Sequence, residues 1–101
     1  MSHTYVYFMD KFFPLEISFG ELAELYDENP MKIFELIKSL VENVLGSKVE
    51  YAKLYKTFLD LKQGIALIEY IVNFEKGSIS IKVVHAENPI KAIMEYYKAE
   101  R

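Results

Sequence analysis

The sequence predicts an α+β fold in which three to four helices pack on an antiparallel sheet. Two observations support this class. Several segments carry apolar residues at helical spacing between start and stop signals, and others carry runs of aromatic and β-branched residues on both sides of short turns. The chain of 101 residues contains no linker, repeat or low-complexity tract, so residues 1–101 are predicted to form one domain.

The most clearly marked element is a β-hairpin that covers residues 65–75 and 78–86. Lys76-Gly77 is expected to form its two-residue turn, because glycine tolerates the positive φ that such turns require. This register would place Phe74 opposite Ile79 and give the hairpin one apolar face. The strand that begins at Ile65 also carries apolar residues on its other face, so we expect it to lie inside the sheet and to be partly covered on both sides.

An N-terminal hairpin is predicted from two short apolar segments, residues 4–9 and 12–17, joined by Asp10-Lys11. Its register would pair Val6 with Leu15. Because proline has no amide hydrogen to donate to a neighbouring strand, Pro14 requires the second strand to lie at an edge of the sheet.

Three helices are marked by their capping residues. Ser18 followed by Glu21 is a capping box that opens a short helix. Asn29-Pro30 and Asn88-Pro89 each combine an N-cap with proline at the first helical position, and Gly46 is expected to end the second helix. In the C-terminal helix the residues expected to face the core are Ile90, Ile93, Met94 and Tyr97.

Residues 47–62 fit two structures. A second capping box at Ser47 and the spacing of the apolar residues that follow favour a helix that ends at Gly64. Residues 56–62 also alternate well enough for a strand before a turn at Gln63-Gly64. We favour the helix because the cap and the spacing agree, and the predicted order is strand-strand, three helices, strand-strand, helix (ββαααββα).

Charge is unevenly distributed along the chain, whose formal net charge is −3. The first 46 residues are strongly acidic, whereas residues 47–62 carry more lysine than acid. An acidic face on the first helices would either be solvated or dock a basic partner or the lysine-rich segment of a second copy. The acidic residues predicted to bind a partner are Glu21, Glu24, Asp27 and Glu28.

The residue types on which most catalytic and metal sites depend are scarce. There is no cysteine, the only arginine is Arg101, and the two histidines, His3 and His85, lack the spacing of metal ligands. Glu69 is the one acid within an apolar strand; it either pairs with Lys82 across the sheet or contributes to a ligand pocket or weak enzyme built with His85 and the tyrosines. We therefore expect no catalytic residue, metal or cofactor.

Aromatic residues are abundant, with eight Tyr and seven Phe in a chain that is 51% hydrophobic. A domain of this size buries only about two-thirds of its unfolded surface, so part of this apolar surface is expected to form a homodimer interface. Adjacent Tyr96 and Tyr97 cannot both face one core from a helix, and one of them is predicted to point outward. The tyrosines expected to converge on one side of the sheet are Tyr5, Tyr7, Tyr70, Tyr96 and Tyr97.

The order of two helices, a hairpin and a closing helix over residues 18–101 resembles that of winged-helix DNA-binding domains. This resemblance implies that residues 47–62 form the helix that reads the major groove and that the hairpin forms the wing. The residues that would then contact DNA are Lys48, Lys53 and Lys56 on the helix and Lys76 at the hairpin tip.

The leading hypothesis is a small protein-interaction or regulatory module that acts by binding, self-associates through aromatic surface and engages a partner through its acidic helices. The winged-helix regulator is the alternative. No leader and no apolar run of about 20 residues is visible, so a cytoplasmic protein without a membrane segment is expected. The excess of Lys and Glu is typical of proteins selected for heat, and equally of a low-GC genome.

Overall fold

The structure, a computed structural model, describes residues 1–99 and confirms the α+β class. Within these residues the strands form a single antiparallel five-stranded sheet in the order β2-β1-β5-β4-β3. The element order is ββααβββα, which corrects the predicted ββαααββα. The elements are β1 (His3–Phe8), β2 (Lys11–Leu15), α1 (Phe19–Glu28), α2 (Pro30–Leu45), β3 (Val49–Asp60), β4 (Ile65–Phe74), β5 (Gly77–Ala86) and α3 (Pro89–Ala99).

The prediction of a helix over residues 47–62 is wrong, because this segment forms the edge strand β3. Pairing with β4 satisfies the backbone groups along the second edge of a strand that is buried on both faces. A helix could not do this, because its backbone groups are already hydrogen-bonded to each other. Two register irregularities, at Val49/Tyr51 and Leu54/Lys56, interrupt the alternation of side chains and so conceal the strand pattern in the sequence. Without that helix, the element order of a winged-helix domain is not formed.

Both hairpins turn one residue earlier than predicted. In the first, Met9 and Asp10 adopt positive φ values of 52° and 60°, so Val6 pairs with Phe13. In the second, Glu75 and Lys76 form the turn and Phe74 pairs with Gly77, whose φ is 136°. Each register differs from the predicted one by two residues, and the predicted faces are unchanged because side chains alternate with a period of two.

The main core lies between the sheet and the layer formed by α1 and α2. Buried residues from β1, β4 and β5 contact the buried faces of both helices. The fully buried residues on the helix side are Leu22, Ile33, Ile37 and Val41. β4 lies between β3 and β5 and is buried at most positions, as its apolar sequence predicts.

Tyr70 connects the centre of the sheet to α2. Its hydroxyl donates a hydrogen bond of 2.6 Å to the carbonyl of Pro30, and its ring lies 5.4 Å from that of Phe34. Burial raises the pKa of the Tyr70 hydroxyl well above its usual range, with a smaller contribution from Tyr26. Tyr70 therefore stays neutral and serves as a structural donor.

The boundaries predicted for the other three helices are confirmed by their caps, whereas the capping box predicted at Ser47 begins no helix. Ser18 and Glu21 form the reciprocal capping box of α1. The side chains of Asn29 and Asn88 accept hydrogen bonds from the amides of Met31 and Lys91 at the starts of α2 and α3. Gly46 ends α2 in the left-handed conformation, with a φ of 66°.

The edge position of β2 satisfies the constraint imposed by Pro14, as predicted. None of the helices that the structure describes combines the length and apolar character needed to span a bilayer.

Candidate interaction surfaces

The second face of the sheet is covered by a single helix. α3 lies across β4 and β5 and forms a smaller core with them. A helix is about 10–12 Å wide, whereas five strands spaced about 4.8 Å apart span roughly 20–24 Å. One helix therefore covers about half of this face, and within residues 1–99 no other helix packs on it.

The core side of α3 differs from the prediction. The residues that pack against Leu67 and Val84 are Ala92, Ile93 and Tyr96. Of the predicted inward residues, only Ile93 is buried; Ile90, Met94 and Tyr97 are 60%, 67% and 44% exposed. The apolar sector of α3 is wider than the contact it makes with the sheet, so the sequence pattern does not reveal which half is buried. The prediction that only one of the two adjacent tyrosines points outward is confirmed.

We call Ile90, Met94 and Tyr97 the α3 stripe. Their spacing of four and three residues places them on one flank of the helix. The opposite flank borders a hollow of about 220 Å³, whose lining includes Ala92 and Glu95 of α3 and Phe58 of β3. The stripe therefore lies on the side of β1 and β2.

The sheet beside the stripe is aromatic. Tyr5 and Tyr7 of β1 lie next to Val84 and Lys82 of β5, on the same face as α3. The Phe12 ring of β2 lies 5.8 Å from Tyr5 and 4.5 Å from Tyr7. These three side chains are half-buried and continue the apolar surface outward from the helix. Tyr70, which was expected to join them, lies on the opposite face.

A buried ion pair lies beneath the stripe. Glu69 and Lys82 occupy directly opposite positions on β4 and β5, and Lys82 Nζ is 3.7 Å from Glu69 Oε2. The Ser80 hydroxyl donates to Glu69 Oε2 at 2.6 Å and accepts from Lys82 Nζ at 3.1 Å. The ring of Tyr97 lies 5.0 Å from Lys82 Nζ, so the aromatic face covers the cation. These contacts give Glu69 a structural role and explain how a carboxylate is tolerated within an apolar strand.

His85 lies on the other face of the sheet, so Glu69 and His85 do not share a pocket. Thr4 Oγ1 donates to the carbonyl of Ile17 at 2.7 Å, which leaves His85 Nδ1 as the donor in its 2.6 Å contact with Thr4 Oγ1. Burial lowers the pKa of His85, and His3 lowers it further. Throughout residues 1–99, no group of three or more His, Asp or Glu side chains is placed to hold a metal ion.

The acidic residues predicted to bind a partner, Glu21, Glu24, Asp27 and Glu28, are exposed on α1. Two of them also have local structural partners, because Glu21 caps the helix and Glu28 pairs with Lys32 at 3.5 Å. They lie on the α1–α2 side of the sheet. The two surfaces predicted for contact, the acidic helix and the C-terminal tyrosines, are therefore on opposite sides of the molecule.

The lysines predicted to contact DNA lie along one edge of the sheet instead of on a helix. Lys53 and Lys56 are on β3, Lys48 immediately precedes it, and Lys76 is in the β4–β5 turn. The pairing of Val49 with Phe74 places Lys48 and Lys76 at the same end of the sheet. The structure thus brings these residues to one edge but removes the groove-reading helix that the resemblance implied.

The sequence analysis missed the exposed aromatic residues of β3. Tyr51, Tyr55 and Phe58 are 59%, 60% and 41% exposed. Their alternation with lysines in residues 51–58 is the signal that a strand interpretation would have used. The helix interpretation used only the helical spacing of the apolar residues in this segment and so did not reveal the alternation.

Comparison with known proteins gives no relative. No family model, no curated protein and no solved structure matches this chain.

Proposed function

We propose that this chain is a protein-interaction module that acts by binding and forms a homodimer through the uncovered half of its second sheet face. The observation that supports this proposal is the α3 stripe, in which three large apolar side chains are exposed next to a half-buried aromatic surface. Large apolar patches on small domains commonly mark sites of protein contact.

The apolar area exposed by the stripe and the neighbouring aromatic rings is of the size that a dimer interface needs. If a large side chain offers about 180 Å², the exposed fractions of Ile90, Met94 and Tyr97 amount to about 300 Å². A standard interface buries about 800 Å² on each partner, of which roughly 450 Å² is apolar. The ring surfaces of Tyr5, Tyr7 and Phe12 would supply much of the remainder.

A second copy fits the stripe because the stripe is self-complementary. Met94 lies near its centre, with Ile90 and Tyr97 about one turn away on either side. A two-fold axis at Met94 would place α3 antiparallel to its partner, as an isologous interface requires. In this arrangement Lys91 lies opposite Tyr97 and Lys98 lies opposite Ile90, so no like charges are directly opposed.

The acidic surface of α1 would remain exposed in such a dimer, because it lies on the other side of the sheet. Its predicted role in engaging a basic partner is compatible with self-association through α3. The module would then bind itself through apolar surface and a partner through charge, which mainly affects association rate and specificity.

Sedimentation equilibrium on the full chain tests the proposal. Wild-type protein should give twice the monomer mass of 11.8 kDa at micromolar concentration. Met94→Glu should raise the dimer dissociation constant at least about a hundredfold. In a two-fold dimer the substitution occurs twice, so it removes two buried methionines and places two carboxylates opposite each other.

Leu36→Glu is the matched control, since Leu36 is an exposed apolar residue on α2, on the other side of the sheet. It introduces the same charge and should leave the dimer intact. Circular dichroism of both variants verifies that they are folded. A wild-type monomer at high micromolar concentration would contradict the proposal, as would equal dissociation of the two variants.

A further inference from the structure

The outward face of β3 carries aromatic and cationic side chains in alternation. One side of the strand, including Ala52, Leu54 and Leu59, packs against the main core. The pairing of Lys53, Lys56 and Phe58 with Ile71, Glu69 and Leu67 places them on the other face, where Tyr51 also lies. We call Tyr51, Lys53, Tyr55, Lys56 and Phe58 the β3 strip; Tyr55 is the extra residue at a bulge, where the register assigns it to neither face, and it is 60% exposed.

Protection of the sheet edge against pairing with other chains explains the lysines and the bulge of this strip but not its aromatic residues. Lysines and bulges on an edge strand prevent unwanted pairing with other chains. Three exposed aromatic rings are not needed for that purpose and add apolar surface to an edge that protection would keep polar. The aromatic residues of the strip therefore point to a ligand with flat, stackable groups.

The segment that carries the strip has a net positive charge, and Glu95 of α3 lines the same hollow as Phe58 at one end of it. Residues 47–62 hold four lysines and two acids. One of these acids, Asp60, is engaged in the turn after β3, where its carboxylate accepts from the amides of Lys62 and Gln63 at 3.0 Å. Lys48 and Lys76 extend the positive charge at the other end of the strip, while the acidic residues of α1 lie on the opposite side of the sheet.

We propose that the β3 strip binds single-stranded nucleic acid, with bases stacked on Tyr51, Tyr55 and Phe58 and phosphates paired with Lys53 and Lys56. Aromatic side chains on an exposed sheet surface are a common platform for unstacked bases, and lysines supply the backbone contacts. From Tyr51 to Phe58 the strand extends roughly 20 Å, which suits two or three bases. Duplex DNA is disfavoured because its bases are already stacked and the strip offers no element for a groove.

This proposal does not depend on the homodimer. The strip and the α3 stripe lie on opposite flanks of α3, so Met94→Glu should not affect nucleic-acid binding. Failure of either proposal can therefore be recognised separately.

Fluorescence anisotropy with labelled oligothymidylate and oligouridylate of about 12 nucleotides tests the inference. Tyr55→Ala should weaken binding at least about fivefold, whereas Tyr55→Phe, which keeps the ring, should bind like the wild type. With two or three phosphates neutralised, raising the salt concentration from about 50 to about 200 mM should weaken binding about tenfold.

Lys53→Glu and Lys38→Glu form a matched pair, because both reverse an exposed lysine but Lys38 lies on α2. Only Lys53→Glu should abolish binding. Equal loss in both variants would show an effect of net charge and overturn the proposal, as would equal competition by duplex DNA or the absence of saturable binding. Displacement of the oligonucleotide by polyglutamate at equal charge concentration would assign the strip to an acidic protein segment and equally overturn it.

Discussion

The buried ion pair between Glu69 and Lys82 gives the strongest test of the structure. The two side chains are each only 7% exposed, so both charges have lost most of their water. Removal of one partner leaves the other charge buried without its counterion, which typically costs about 3–5 kcal/mol. We expect Lys82→Met to lose free energy of unfolding in this range, since methionine keeps the aliphatic stem and removes the charge.

The exposed pair between Lys32 and Glu28 on the helices provides the control. Its N–O distance of 3.5 Å is close to the 3.7 Å of the buried pair, but its side chains are 48% and 60% exposed. Pairs of this kind contribute about 0.3–0.5 kcal/mol. Lys32→Met should therefore cost roughly a tenth as much as Lys82→Met, and the difference isolates the effect of burial.

Urea and thermal denaturation of the two variants measure this difference. For a domain of this size, each kcal/mol lowers the melting temperature by about 4–8 °C, so Lys82→Met should lower it by at least about 12 °C. The double variant Glu69→Leu with Lys82→Met should recover most of the loss, because no charge is then buried. Equal destabilisation by Lys82→Met and Lys32→Met would refute the reasoning.

Three further predictions concern the fold. Lowering the pH from about 8 to about 5 should destabilise the wild type, because His85 takes up a proton near pH 6.5 in the unfolded chain and only at lower pH in the folded chain, where burial lowers its pKa. If the urea midpoints of the wild type and of His85→Gln fell equally with pH, this prediction would be contradicted. Gly46→Ala should cost about 1–2 kcal/mol, since its Cβ would meet no neighbour within 4 Å and only the positive φ is unfavourable; an unchanged melting temperature would be inconsistent with this geometry. Ile37→Ala in the fully buried face of α2 should cost about 2–5 kcal/mol in chemical denaturation, and a loss below about 1 kcal/mol would indicate a looser core.

Local signals in the sequence were sufficient for the helix ends and for the faces of the hairpins. Ser18, Asn29, Gly46 and Asn88 act within one helical turn of their own positions, which is why their caps could be read from the sequence. The same kind of signal at Ser47 was overridden when residues 49–60 paired with β4. Turn positions were less well determined. Both hairpins turn one residue earlier than predicted, and the period of two kept the face assignments correct despite the wrong register.

By itself, the sequence determined the α+β class and three capped helices. The tertiary structure alone decided that residues 49–60 are a strand, because β4 needed a partner on its second edge and that need arises only once the sheet forms. It also decided which half of the α3 apolar sector is buried, since one helix can cover only part of a five-stranded face. The proposed surfaces depend on both outcomes, because exposure is a property of the assembled layers and is not encoded in the local pattern of residues.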